Sequence, residues 1–267
     1  MARNSLKNVC RLIEQAKDEL SPEQSFLIDL KRSIEEDSRK GARKPSQTYK
    51  PSSMNCIRNM YYQVIGAEPD VGDESYCMIG ICNSGSDIHI RIQSAVEKMK
   101  DNGMDCEYVD VAQFIKSRKS DEKLDDLVIR EKYGAETKLY HKGLNMSFMC
   151  DGIIRYKGHY YILEIKTEMG MKWNKRDAVD PKHYAQGTAY SIAFNLPDIM
   201  FLYISRDLLD MKTYIFTPTD DMKNELVNKI MTCDNYVKQQ QTPPKPDDLP
   251  KRTCEYCGYK TVCKGDI

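Results

Sequence analysis

The sequence predicts an α/β protein with a mixed central sheet flanked by helices, and three observations lead to that class. Residues 151–166 read as a β-hairpin, further alternating segments surround it, and capped amphipathic helices lie on both sides of these strands along the chain. The chain opens with two amphipathic helices, at about 5–19 and 22–38, and Ser21-Pro22-Glu23-Gln24 supplies the second with an N-cap, a first-turn proline and a capping-box glutamine. Helices are expected at about 53–65, 84–101 and 110–118. The middle one has Ser84 or Ser86 as its N-cap and Ile88, Ile92, Ala95, Val96 and Met99 as its apolar stripe. Strands follow at about 136–141, 146–156 and 159–167, and Asp180-Pro181 starts a helix over 181–194. Two more strands, 198–205 and 212–217, and a helix over 220–239 complete the pattern.

The hairpin also holds the chemistry. Lys157-Gly158 is its turn signal, so Tyr156 pairs with His159 and the register, stepped outward, sets Asp151 opposite Glu164. Directly paired residues share a face with Cβ atoms about 4.5–5.5 Å apart. Alternation puts Glu164 and Lys166 on one face and turns Leu163 and Ile165 into a core. Acids that close repel unless a cation lies between them, and Mg²⁺ typically takes one or two carboxylates plus water and phosphate oxygens. A lysine beside such an ion stabilises charge on a phosphate or helps deprotonate an attacking water, which is the chemistry of phosphodiester hydrolysis. Taken alone, the pattern is also that of a solvent-facing hairpin, although Ile162, Leu163 and Ile165 argue for a strand buried on at least one side.

Asp151 followed by Glu164-Ile165-Lys166 resembles the signature of the PD-(D/E)xK nucleases. Gly85-Ser-Asp-Ile-His89 before it and Gln186-Gly-Thr-Ala-Tyr190 after it resemble the RecB-like branch. The resemblance implies a restriction-endonuclease-like core in which Asp151 and Glu164 hold Mg²⁺ or Mn²⁺, helped by His89 and the Ile165 carbonyl. It also implies that Lys166 is catalytic and that Gln186 and Tyr190 contact substrate or support the site. Without it, His89 reads as a structural residue beside an apolar stripe, and Gln186 and Tyr190, one turn apart, as interhelical packing. Glu168 adds a carboxylate that reads as solvated.

Cys254, Cys257 and Cys263, after a Pro-rich linker from Thr242 to Pro250, cannot build a core and look like soft-metal ligands. A tetrahedral set needs a fourth. Ser52–Gly66, which contains Cys56, resembles the segment that supplies the first cysteine in RecB-like nucleases with an iron–sulfur cluster, among them AddB and the CRISPR-associated exonucleases. The resemblance implies a [4Fe–4S] cluster on Cys56, Cys254, Cys257 and Cys263, while four thiolates equally suit a structural Zn²⁺ or stay unliganded. Cys10, Cys77, Cys82, Cys106, Cys150 and Cys233 lack metal-like spacing and read as buried or surface thiols.

Composition bounds the partners. With 40 basic and 40 acidic residues the net charge is zero, so DNA contact has to be local. Arg39, Lys40, Arg43 and Lys44 lie in a linker, and Lys172, Lys175 and Arg176 surround Trp173, an indole placed to stack a base unless the loop is merely solvated. No apolar run approaches the roughly 20 residues that span a bilayer, and the charged N-terminus is unlike a signal peptide. Ten cysteines without such a signal fit a reducing compartment. These features predict a soluble, cytoplasmic protein of a bacterial cell, or of the host cytoplasm if viral. The expected organisation is a helical extension and basic linker over 1–50, the nuclease core over 51–241, and a cysteine tail over 242–267 that packs back near Cys56. The expected function is that of a metal-dependent DNA exonuclease in recombination, repair or replication, with DNA and a helicase or other recombination or replication protein as partners. A CRISPR-type DNA-processing nuclease and a catalytically silent DNA-binding protein of the same fold are the alternatives.

Overall fold

In the computed structural model, which describes residues 20–41, 45–70, 75–118, 124–133, 136–249 and 253–265, the hairpin folds about the turn its sequence marks. Lys157 and Gly158 both take positive φ, 49° and 81°, as a type I′ turn requires. Tyr156 therefore pairs with His159, and the ladder steps out to Gly152 opposite Leu163. The expected helix at 5–19, Cys10, Arg43, Lys44 and Pro250 lie outside the described residues.

Eight strands are described: β1 (Cys106–Val109), β2 (Leu127–Tyr133), β3 (Glu136–His141), β4 (Met146–Cys150), β5 (Gly152–Tyr156), β6 (His159–Glu168), β7 (Ile199–Ser205) and β8 (Met211–Phe216). The main sheet has the order β1-β5-β6-β7-β8, and it is mixed because β6 and β7 run parallel while the other pairs are antiparallel. Strands β2, β3 and β4 form a second, antiparallel sheet. The expected strand over 146–156 is thus two strands in two sheets, broken at Asp151. At the break the backbone of Gly152 presses against Tyr108, whose ring a Cβ there would approach to 2.5 Å. Strands β1 and β2 escaped the sequence reading because one is short and the other carries Arg130 and Glu131 in its middle.

The helices are α1 (Pro22–Lys40), α2 (Ile57–Val64), α3 (Tyr76–Glu97), α4 (Val111–Ser117), α5 (Gly170–Asn174), α6 (Tyr184–Phe194), α7 (Asp220–Lys238) and α8 (Lys260–Gly265). Ser21 and Gln24 make the expected capping box on α1. Ser84 and Ser86 are not caps, because α3 starts eight residues before Ser84, the segment from Tyr76 having no proline to stop it. The helix expected at 53–65 divides into a 3₁₀ turn, Pro51–Ser53, and α2, with Cys56 at the N-cap position. A 3₁₀ turn, Pro181–His183, leads into α6, and the Asp180 carboxylate caps it by accepting from the Lys182 N–H.

Strand β6 is buried on both faces, which positions everything that follows. Leu163 and Ile165 pack with Ile88 of α3, Ile154 and Ile204. Ile162 faces the other way, into a core with Ile153, Phe194, Phe201 and Leu226 from the sheet, α6 and α7. Each such side chain contributes about 1.5–3 kcal/mol on burial. Gly187 lets α6 lie close on the sheet, since a Cβ there would come within 2.8 Å of the Phe216 ring.

The described residues of Met1–Arg43 and Val71–Asn83 form one compact unit, and those of Lys44–Asp70 and Ser84–Ile267 another. In the first, Glu35 accepts from the Tyr76 N–H at 3.0 Å and Lys31 lies over the Tyr76 ring. The second contains both sheets and the cysteine tail. Among the described residues no helix is long and apolar enough to cross a membrane.

Candidate functional site

Because β5 begins only at Gly152, Asp151 does not take a ladder position opposite Glu164; its side chain takes that place instead. Asp151 Oδ2 accepts the Ile165 N–H at 2.6 Å, and Oδ1 meets His89 Nδ1 at 2.9 Å. The N–H and C=O of one strand residue point to the same side. The Ile165 carbonyl therefore faces Asp151 beyond the end of β5, outside the ladder. The main-chain oxygen of Asp151 accepts from Gln93 Nε2 at 2.8 Å and from Tyr108 OH at 3.1 Å. Sequence reasoning missed both donors. Gln93 had a signal, four residues after His89 on one helix face; Tyr108, on an unexpected strand, had none.

Next to Ile165 on β6, Lys166 Nζ donates to Glu164 Oε1 at 2.6 Å and to Gln186 Oε1 at 3.0 Å. An ammonium only donates, so the Gln186 oxygen must face it and the Gln186 amide nitrogen is turned to Glu164 Oε1, 2.7 Å, and Tyr190 OH, 2.9 Å. Tyr190 in turn donates to the Met149 carbonyl of β4 at 2.7 Å. The structure thus brings Glu164, Lys166, Gln186 and Tyr190 into one hydrogen-bonded set and Asp151 with His89 into another, the two meeting through the β6 backbone at Ile165, with Glu164 and Tyr190 almost fully buried.

Burial pushes the Glu164 carboxyl up to about 7; the Lys166 charge opposes this and the Asp151 charge adds to it. His89 is shifted upward: burial pulls it down, but its hydrogen bond to Asp151 and the charges of Asp151 and Glu164 outweigh that. Burial, then the Glu164 charge, raises Tyr190 well above the ordinary phenol range. A carboxyl that keeps its proton in the folded chain stabilises that chain fully below its ordinary value of 4.5, and the contribution is lost as pH rises to about 7. The metal-free chain should therefore lose unfolding free energy across that window, and Glu164→Gln should flatten the loss. Denaturant titrations at a series of pH values would show this, and equal slopes in both proteins would exclude Glu164 as the cause.

Two buried carboxylates, a carbonyl and an imidazole are a donor set of the kind hard divalent cations take. The raised Glu164 carboxyl beside Asp151 is the strain such a cation would relieve. As they stand, Lys166 and the Ile165 N–H satisfy the acids, and among the described residues no three His, Cys, Asp or Glu side chains are grouped ready around a metal position.

The loop after β6 differs from expectation. Trp173 is buried, donates from Nε1 to the Tyr203 carbonyl and has Lys212 Nζ 4.3 Å from its ring centre, so it is a core residue with no face to offer a base. Arg176 is likewise enclosed: it grips Glu168 through Nε and Nη2 at 2.5 and 2.7 Å and lies 4.0 Å over the Tyr203 ring. Glu168 is accordingly a buried ion-pair partner and not a solvated carboxylate. Of the expected DNA-contacting group, Lys172 and Lys175 remain exposed.

Cys56, Cys254, Cys257 and Cys263 all line one cavity of about 170 Å³, together with Arg58, Lys260 and Lys264. The tail reaches it by packing on α2: the rings of Tyr62 and Tyr259 lie 5.8 Å apart, Asn59 Nδ2 is 3.5 Å from Cys257 Sγ, and the Asp70 N–H donates to the Gly258 carbonyl. Burial, then the neighbouring thiols Cys56, Cys263 and Cys254, pushes the Cys257 thiol up. Four soft ligands with cations around them fit a thiolate-bound group. They share the cavity without being grouped as metal ligands: among the described residues no three cysteines are placed to hold one ion. Of the other cysteines, Cys106, Cys150 and Cys233 are buried and Cys77 and Cys82 exposed.

No protein-family model and no curated protein matches the chain. Among solved structures, one described as the crystal structure of SSO0001 is similar to it, with 16% sequence identity and a TM-score of 0.48, over 91% of this chain and 98% of that one. A likeness at that level says nothing of activity.

Proposed function

We propose that this chain is a metal-dependent deoxyribonuclease of the RecB-like kind, most simply an exonuclease acting on DNA ends in recombination, repair or replication. The observation that supports the reading is the convergence of Asp151, Glu164 and Lys166 at the end of one hairpin, with His89 and Gln186 bonded to them and Tyr190 to Gln186. Asp151, Glu164, His89 and the Ile165 carbonyl would hold Mg²⁺ or Mn²⁺. Such an ion supplies an acidified water and charge neutralisation at the phosphate. Lys166 then orients the water or neutralises a phosphate oxygen, and Gln186, bonded to both Lys166 and Glu164, keeps the two side chains in place. The four cysteines that line the tail cavity would hold a [4Fe–4S] cluster that staples the tail to α2, with structural Zn²⁺ as the alternative. A helicase or another recombination or replication protein would deliver the end.

The test is a nuclease assay on end-labelled linear DNA and on covalently closed circles, with Mg²⁺, with Mn²⁺ and with EDTA. Linear DNA should be shortened from its termini in either metal and closed circles largely spared. Rapid nicking of circles would mean an endonuclease; binding without cleavage in any metal would mean a silent DNA-binding protein.

A further inference from the structure

Beside the triad lies a group of cations that is not neutralised. Asp180 Oδ2 has Lys172 Nζ at 2.7 Å, Arg176 Nη2 at 3.3 Å and Lys182 Nζ at 3.9 Å. Among the described residues the other carboxylate on this group is Glu168, which is gripped by Arg176 and lies 3.6 Å from Lys172. Three cations against two carboxylates leave one positive charge over. The surplus sits on Lys172 and Lys182, whose side chains are about half exposed, 46% and 51%, while Arg176 is enclosed.

His183 joins this group to the triad. Tyr203 OH accepts the Asp180 N–H and lies 2.8 Å from His183 Nδ1. Tyr203 is also the partner of Lys166 in the β6–β7 ladder, which sets His183 beside that lysine, and burial together with the charges of Lys166, Lys182 and Lys172 keeps the imidazole neutral. Lys182 is four residues before Gln186, on the turn that enters α6, and so stands one turn from the residue that bonds Lys166.

We infer that Lys172 and Lys182, with His183 alongside, form a binding site for a second phosphate of the substrate strand, adjacent to the one at Lys166. Asp180 occupies the site's charge in the absence of phosphate and competes with it. The phosphate is either an internal diester or a terminal monoester, both of which supply anionic oxygens to two ammonium groups.

The inference rests on the nuclease reading for the identity of the anion, so its test is made where no hydrolysis occurs. Fluorescence anisotropy in EDTA would measure binding of a labelled single-stranded oligonucleotide, 5′-phosphorylated or 5′-hydroxyl, over a range of salt. Lys182→Ala and Lys172→Ala should each weaken binding several-fold and reduce the log–log salt slope by about 0.7, the value for one phosphate on a single strand. Asp180→Asn, which keeps an acceptor for the Lys182 N–H, should tighten binding. A larger loss with the 5′-phosphorylated strand identifies the terminal monoester, and an equal loss the internal diester. Wild-type affinity and salt slope in both lysine variants, or no binding by the wild type, would overturn the site. Lysine-dependent binding with no cleavage in Mg²⁺ or Mn²⁺ would leave the site standing and remove the nuclease reading instead.

Discussion

Glu164→Gln and Lys166→Ala should each lower Mg²⁺- or Mn²⁺-dependent DNA cleavage by about 10³-fold or more, a loss of roughly 4 kcal/mol of transition-state stabilisation. The size follows from the position of both groups. Glu164 is a buried carboxylate on the face proposed to hold the metal, and Lys166 is the one ammonium among the described residues bonded to it, at 2.6 Å. The glutamine substitution keeps an oxygen to accept from Lys166 and Gln186, so the fold should survive and the loss should fall on chemistry. Lys166→Ala removes the cation from a buried acid and should lower the melting temperature as well, so its cleavage is read at a temperature where circular dichroism shows the fold intact. Cleavage at wild-type rates in either variant, with matching circular dichroism, would remove these residues from catalysis.

Serine at Cys56, Cys254, Cys257 or Cys263 should bleach the brown colour of anaerobically purified protein and lower its melting temperature by about 10 °C or more. The magnitude reflects loop closure: a group bound to Cys56 and to the tail cross-links nearly the whole second unit, which restricts the unfolded chain as a long-loop disulfide does, by about 4–5 kcal/mol. Serine at Cys77, which is exposed and not one of the residues lining the cavity, should change neither property. Iron and sulfide in near-equal amounts are expected in the wild type. Zinc without iron would replace the cluster but keep the staple, and no metal at all would remove both, leaving the packing of Tyr259 on Tyr62 to hold the tail.

Much of this was legible in the chain because it is local. Two residues able to take positive φ, between segments of period two, are enough to set a hairpin register, and the ladder from Tyr156–His159 to Gly152–Leu163 follows step by step. The capping box at Ser21 and the Asp180-Pro181 start are likewise settled by side chains within one turn of the backbone they satisfy. The grouping of His89, Asp151, Glu164, Lys166, Gln186 and Tyr190 was expected from motif order and is reproduced by the geometry.

What the sequence by itself determined, then, is which residues are strand, turn and cap around the hairpin, and which polar groups share its face. Tertiary structure decided the rest. Asp151 stands at the end of one sheet and the start of another because Tyr108 and Gln93, distant in the chain, hold its carbonyl. Trp173 and Arg176 look like a nucleic-acid surface in a sequence of alternating cations, yet Tyr203, Glu168 and Lys212 enclose them. Hydrogen bonds within a turn are encoded by neighbours, whereas burial depends on which distant side chains arrive to exclude water, and only the assembled fold contains that information.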